Sequence, residues 1–389
     1  MVGLFLLNCV FVKDKDTMRT ILLFTCLSIA KLSFGQEYYL FIGTYTHGPS
    51  LGIYVYKFDA STGEARPVDS IASQNPSYLA VSPNGKFLYA VNENGNQLQG
   101  EVSSYQFDKT TGKLSFLNKQ QSGGSDPCYI SESRNGKWLM IANYSSGTFS
   151  AISLGIDGSI GSIAQVIQDE GKSADTVRQE KAHAHSAIFS PDEKYLLCAD
   201  LGTDKEMIFH FNPNAEKPLS TTRDSAVSIL PGSGPRHIVF HPSKPIVYMV
   251  EELSGTVEAF HYTDGKLKSF QRLSCHPEGF TGQKGSADIH ISPNGKFLYA
   301  SNRGDANSLA IFSIDQVSGH LKLKGFQDVL GKHPRNFVID PGGKFLLVAN
   351  RDKDNIAVFS INEQTGLLKE TGASIHVPSP VCLKLLRKN

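Results

Sequence analysis

SPNGKFLYAVN at Ser82–Asn92 returns as SRNGKWLMIAN (Ser133–Asn143), SPDEKYLLCAD (Ser190–Asp200), HPSKPIVYMVE (His241–Glu251), SPNGKFLYASN (Ser292–Asn302) and DPGGKFLLVAN (Asp340–Asn350). The lysines of the six copies, Lys86, Lys137, Lys194, Lys244, Lys296 and Lys344, span 258 residues in five intervals, a mean period of about 52. Self-similarity at a period near 50 denotes the blades of a propeller or the coils of a solenoid. Each unit reads as four strands. In the first, SYLAVS (Ser77–Ser82) is strand A, PNGK a tight turn, FLYAVN (Phe87–Asn92) strand B, VSSYQF (Val102–Phe107) strand C, and LSFL after Lys113 strand D. Proline presets φ in the turn, Asn and Gly tolerate positive φ, and aromatic and β-branched residues fill the strands.

The chain ends hold the halves of a seventh unit. YLFIGT (Tyr39–Thr44) matches strand B and GIYVYKFDASTG (Gly52–Gly63) strand C with its turn, but no strand A precedes them. SPVCLKLL (Ser379–Leu386) matches strand A, and nothing follows it. Joined in a ring, the two halves complete one blade. The 354 residues from Gln36 onward give about 51 for each of seven blades, in agreement with the internal period. The expected fold is all-β: a seven-bladed β-propeller closed by its C-terminal strand, which leaves no free inner edge. An open solenoid would not need complementary half-blades.

Composition agrees. Among 389 residues, 35 Gly, 18 Pro, 23 Phe, 14 Tyr and one Trp describe turns and aromatic strands. A formal charge of +1 provides no basic field for a phosphate backbone, which disfavours nucleic acid as a partner. The six cysteines form no CxxC, and Cys9 and Cys26 fall in an apolar leader, so neither a disulfide scaffold nor a zinc site is indicated and no cofactor is expected. In MRTILLFTCLSIAKLSFGQ (Met18–Gln36), Arg19 precedes an apolar run from Ile21 to Ala30, and Ser33 and Gly35 flank Phe34. This pattern reads as a secretory signal peptide cut after Gly35, preceded by an upstream extension. The run is well short of the roughly 20 residues of a membrane span, and Cys26 lacks the preceding small residue of a lipoprotein. The expected organisation is therefore residues 1–35 as leader and 36–389 as one propeller, periplasmic or secreted, monomeric and without a membrane span.

Strands A and B are antiparallel, so the start of each A and the end of each B share one face, opposite the PNGK turns. The column before strand A reads Ser77, Cys128, His185, Arg236, Ala287, Arg335, Val381. The pairs ending strand B are Thr44-Tyr45, Asn92-Glu93, Asn143-Tyr144, Asp200-Leu201, Glu251-Glu252, Asn302-Arg303 and Asn350-Arg351. The charged members cluster in neighbouring blades and converge on the channel mouth. Guanidiniums offer forked donors for an anion, and a histidine beside a carboxylate supplies proton transfer near neutral pH. Arg335 and Arg351 are read as substrate-binding groups or plain ion pairs. Glu251 shares a column of Asn and Asp and is read as a turn acceptor, whereas Glu252 breaks the composition of its column. His183 and His185 form a weak HxH metal pair with no third ligand at diagnostic spacing. His237 and His290 lie one residue off phase and are read as packing residues. The loops Ser173–Ala184, with Arg178 and Lys181, and Glu278–Ser286, with Lys284, could wall the cleft.

The strings FIGTYT, GIYVYKFD, HAHSAIFSPD, GPRHIVFHP, EEL, ADIHISPNGKFLYASNRG and HPRNFVIDP resemble the seven-bladed lactonase family, which includes bacterial 6-phosphogluconolactonase and the fungal carboxymuconate cycloisomerase. The resemblance runs from Tyr39 to Leu386; GPRH followed by EEL, and ADIHISP followed by NRG, are its specific parts. It implies an active site of a histidine, two arginines and a glutamate, which fall on His185, Arg236, Arg303 and Glu252; beside them, Arg335, Arg351 and His183 are expected, from their positions alone, to bind substrate. The expected activity is metal-independent hydrolysis of a sugar-derived or other anionic lactone. His185 would activate water, Glu252 would orient it or share its proton, and the arginines would hold the substrate anion and the oxyanion. Cycloisomerisation on the same groups and a non-catalytic binding propeller remain open.

Overall fold

The computed structural model describes residues 36–95 and 99–388, except the side chains of 222–225. The leader, and with it the expected signal peptide, lies outside the described residues.

Seven four-stranded antiparallel sheets are formed. The first contains Glu37–Thr44, Gly52–Asp59 and Ala65–Ala72, and its innermost place is taken by the C-terminal strand Pro380–Arg387. The two chain ends pair in register from Tyr38↔Arg387 to Gly43↔Cys382, and the Lys388 amide donates to the Glu37 carbonyl at 3.1 Å. The other six sheets begin with Tyr78–Val81, Pro127–Glu132, Ala184–Phe189, Pro235–Phe240, Ser286–Ile291 and Pro334–Ile339. Each innermost strand touches its counterpart in both adjacent blades, so these strands surround the axis. The ring is thus closed as the half-blades at the chain ends imply.

The repeat works through local turn chemistry. Ser82 Oγ accepts the Phe87 amide at 2.8 Å, Asn84 Oδ1 accepts the Lys86 amide at 2.8 Å, and Gly85 takes φ +65°. Asn135 and Gly136, and Asn294 and Gly295, do the same in their blades. At the ends of strand B, Asn92, Asn302 and Asn350 each send Nδ2 to a carbonyl of the loop leading into strand A: Gln74 O at 2.6 Å, Cys275 O at 2.7 Å and Val329 O at 2.8 Å. Glu251 accepts from Ser254 at 2.8 Å and also pairs with Arg272, which is the turn-holding role its column implies.

Blades are pinned to one another by buried donors. The hydroxyls of Tyr39, Tyr248 and Tyr299 donate to Lys109 O (2.7 Å), Gly319 O (2.6 Å) and Gly366 O (2.8 Å) in the next blade. The rest of each interface is aliphatic and aromatic, as around Phe58 and Phe345, which pack edge to face. Strand B of the second blade is Phe87–Asn92 as read, while its strand D extends to Lys113–Ser125. The extension beyond LSFL is polar and crosses a bulge, so it has no alternating pattern to announce it.

Candidate active site

In six of the seven innermost strands the pairing register slips once, near the start. Cys128, His185, Arg236, Arg335 and Val381 are passed over by the ladder, and Ala287 and Asp288 together face one residue. A bulge releases a side chain from the alternation and re-aims it. Apart from Ser77, the sequence column is therefore a column of bulged residues, delivered to one mouth of the channel.

Glu252 stands at the centre of the charge cluster. Its Oε2 accepts Arg236 Nε at 2.8 Å and Arg303 Nη2 at 2.7 Å, and its Oε1 accepts Arg178 Nη2 at 2.7 Å. Burial raises the pKa of this carboxyl, but Arg303, Arg236 and Arg178 outweigh burial and hold it well below the usual carboxylate range. Burial, followed by the neighbouring Arg303, lowers the Arg236 guanidinium to about 10, so it stays charged at neutral pH. Carbonyls fix the two inner arginines: Arg303 Nε donates to Gly285 O at 2.9 Å, and Arg236 Nη1 donates to Ala287 O.

Arg178 comes from the loop before Ala184. Asp175 Oδ1 accepts the amides of Val177 and Arg178 at 2.9 and 3.0 Å, and Gln179 Nε2 ties the turn to Leu201 O at 2.8 Å. This turn aims Arg178 at Glu252 and at the Tyr144 hydroxyl, 3.1 Å away. The sequence placed Arg178 only as a possible wall. An Asp three residues before it is the local sign of the turn, but nothing in the sequence names its target.

His185 is buried in the cluster. Cys128 Sγ lies 3.8 Å from its Nδ1. Burial, then the charges of Arg236 and His237, set its pKa well below 6.5, so the ring is neutral at physiological pH. Tyr144 separates the two histidines of the HxH motif. It stacks on His183 at 4.5 Å and meets His185 edge to face at 5.6 Å. The His183 ring nitrogens lie 3.2 Å from Tyr144 O and 3.1 Å from Glu180 Oε2, which places this ring behind Tyr144.

Arg335 borders the same mouth, 4.0 Å from Glu93 Oε2 and 5.6 Å from the centre of the Tyr45 ring. Arg351 lies apart on the rim, where its Nε pairs with Asp352 at 2.5 Å. Beneath the mouth, His237 Nδ1 donates to Asp288 Oδ1 at 2.8 Å, and Asp288 Oδ2 accepts from His290 at 3.0 Å and Asn336 at 2.5 Å. His237 and His290 thus share one carboxylate that spans three blades. Cys128, Cys198, Cys275 and Cys382 are free and buried. Among the described residues no three His, Cys, Asp or Glu side chains gather as a metal site, and no helix is long and apolar enough to cross a membrane.

A ring of seven blades with an arginine-bound glutamate and a neutral histidine at its mouth is the setting in which the relatives can be weighed. The family described as lactonase, 7-bladed beta-propeller, matches residues 39–385, and the chain belongs to that family. It is 40% identical over 336 residues to the 6-phosphogluconolactonase of Formosa agariphila, covering 85% of this chain and 94% of that one. It is 35% identical over 356 residues to the 6-phosphogluconolactonase of Bacillus subtilis, covering 90% and 99%. The solved structure of a periplasmic gluconolactonase from Pseudomonas aeruginosa matches with a TM-score of 0.86 at 37% identity, covering 91% and 100%.

Proposed function

We propose that this protein opens a sugar-derived lactone to its aldonic acid at the channel mouth, by general acid/base hydrolysis without a metal ion. The observation that carries the reading is the juxtaposition of a buried, neutral histidine with three guanidiniums gathered on one ionised carboxylate. Relatives named for lactone hydrolysis support it. In this mechanism His185 Nε2 takes a proton from water as its oxygen bonds to the lactone carbonyl carbon. The guanidiniums of Arg236 and Arg303, with Arg335 beside them, stabilise the oxyanion and the carboxylate product. The ring C–O bond then breaks, and the proton on His185 passes to the departing alkoxide. Glu252, held ionised, orients the arginines.

The leader supports a further proposal, that the mature chain begins at Gln36 and works in the periplasm or outside the cell. The test of the activity is proton release from glucono-1,5-lactone and from its 6-phosphate, with a chelator present. Saturable release above the spontaneous rate is expected. A rate equal to the spontaneous one for both would overturn the reading.

A further inference from the structure

Beside the arginine cluster, the same face opens into a cavity of about 520 Å³ lined by Tyr45, His47, Glu93, Arg351, Asp354 and Ser379 among others. Its size falls within the usual range of small-molecule sites, about 300–1,000 Å³. Arg335 links the cavity and the cluster through lining residues: its guanidinium faces the Tyr45 ring and Glu93, and the Tyr45 hydroxyl donates to the same Glu93 oxygen at 2.9 Å. The cavity is thus joined to the channel mouth by direct contacts.

Charge is distributed unevenly between the mouth and the cavity. On the channel side Arg178, Arg236 and Arg303 converge on the carboxylate of Glu252, and Arg335 adds a fourth positive charge to that mouth. On the cavity side Arg351 is taken up by Asp352, at 2.5 and 3.2 Å. Asp354 makes no ion pair among the described residues, and Glu93 has only the 4.0 Å approach of Arg335. An anionic group entering the cavity meets like charge. A hydroxyl meets carboxylate acceptors, and the apolar C–H face of a sugar ring meets the Tyr45 and His47 rings, which lie 6.2 Å apart at 29°.

We propose that this cavity is a subsite for an uncharged, polyhydroxylated substituent of the lactone, such as a glycosyl group, carried on the side away from the carbonyl. The channel mouth takes the electron-rich acyl end, and the flank takes the neutral tail. The inference rests on the lactonase reading and adds a substrate class to it: glycosyl aldonolactones are preferred over lactones with a phosphate in the tail.

The experiment compares kcat/KM for glucono-1,5-lactone, its 6-phosphate and maltobionolactone in the wild type, Asp354→Asn and His47→Ala. Asn keeps the acceptor for the Ser379 amide, now 2.7 Å from Asp354 Oδ1, and tolerates the left-handed backbone at this position, φ +53°. Maltobionolactone should exceed gluconolactone by about tenfold in the wild type, the worth of one or two added hydrogen bonds. Both variants should cut that advantage to about twofold while gluconolactone stays within about twofold of wild type, and Asp354→Asn should raise the rate for the 6-phosphate. Equal or lower kcat/KM for maltobionolactone, or a uniform fall for all three lactones in the variants, would overturn the subsite. Calorimetric binding of maltobionate and gluconate separates this failure from that of the lactonase reading. Tighter maltobionate binding, lost in Asp354→Asn, sustains the subsite even if no lactone is turned over; equal binding of the two acids rejects it.

Discussion

Replacing Glu252 by glutamine removes one charge and almost nothing else. A glutamine that turns its carbonyl toward Arg236 and Arg303 keeps those two hydrogen bonds, now at 2.8 and 2.7 Å, but its amide then faces Arg178, donor against donor. The Arg178 side chain is 43% exposed and can swing into water, whereas Arg236 and Arg303 are 1% and 8% exposed and cannot. Two buried guanidiniums are left without a counter-charge. Breaking a buried ion pair from one side costs about 3–5 kcal/mol, and the two retained hydrogen bonds put this variant near the lower figure. For a chain of this length that is a fall in Tm of about 4 °C. The folded pKa of Glu252 lies well below its ordinary 4.5, so its stabilisation is whole above pH 4.5 and is lost as pH falls through the folded value. Melting curves of wild type and Glu252→Gln, followed by circular dichroism, should differ most at pH 7 and converge below pH 4.5. A gap under about 1 °C at pH 7, or one that stays constant on acidification, would refute the clamp, since a buried pair is worth several times that.

His185→Ala should lower kcat by about 100-fold to 10,000-fold with little change in KM, and a wild-type rate in a folded variant would remove His185 from the chemistry. Because burial and Arg236 lower the His185 pKa, the acid limb of kcat/KM should lie well below pH 6.5; a midpoint at or above 6.5 would show that another group titrates. A chain ending at Val377 loses Pro380–Arg387 and bares the inner edge of Glu37–Thr44, so it should aggregate or fail to melt cooperatively; a monodisperse product with the full-length Tm would contradict ring closure. N-terminal sequencing of protein from the native cell should find Gln36 first, and a start before Met18 would dismiss the signal peptide.

The blades were legible because their cause is local: Ser82, Asn84 and Gly85 close a turn among themselves, and the same spacing recurs where the chain repeats the act. Closure was legible for a different reason, the complementary deficits of Tyr39–Thr44 and Ser379–Leu386. The strand-end columns placed His185, Arg236, Glu252, Arg303 and Arg335 on one face without any knowledge of side-chain direction. They could not show that one carboxylate gathers three guanidiniums, because Arg178 arrives from a non-repeating loop whose path depends on Asp175 and Gln179. The columns also named Tyr45 and Glu93 without setting them apart. Their partnership with Arg335 joins three blades, and no period along the chain encodes such a contact.

The bulges at the channel mouth separate what holds the protein together from what it can do. Residues on either side of each bulge carry the ladder, so the passed-over position answers to the cleft more than to the sheet. Ala287 and Val381 occupy such positions without bringing any ionisable group. They amount to interchangeable sockets in a fixed frame. New acids, bases or donors could be installed there singly, and a scaffold of this kind can acquire a different substrate by changing a few socket residues while its strands stay in register.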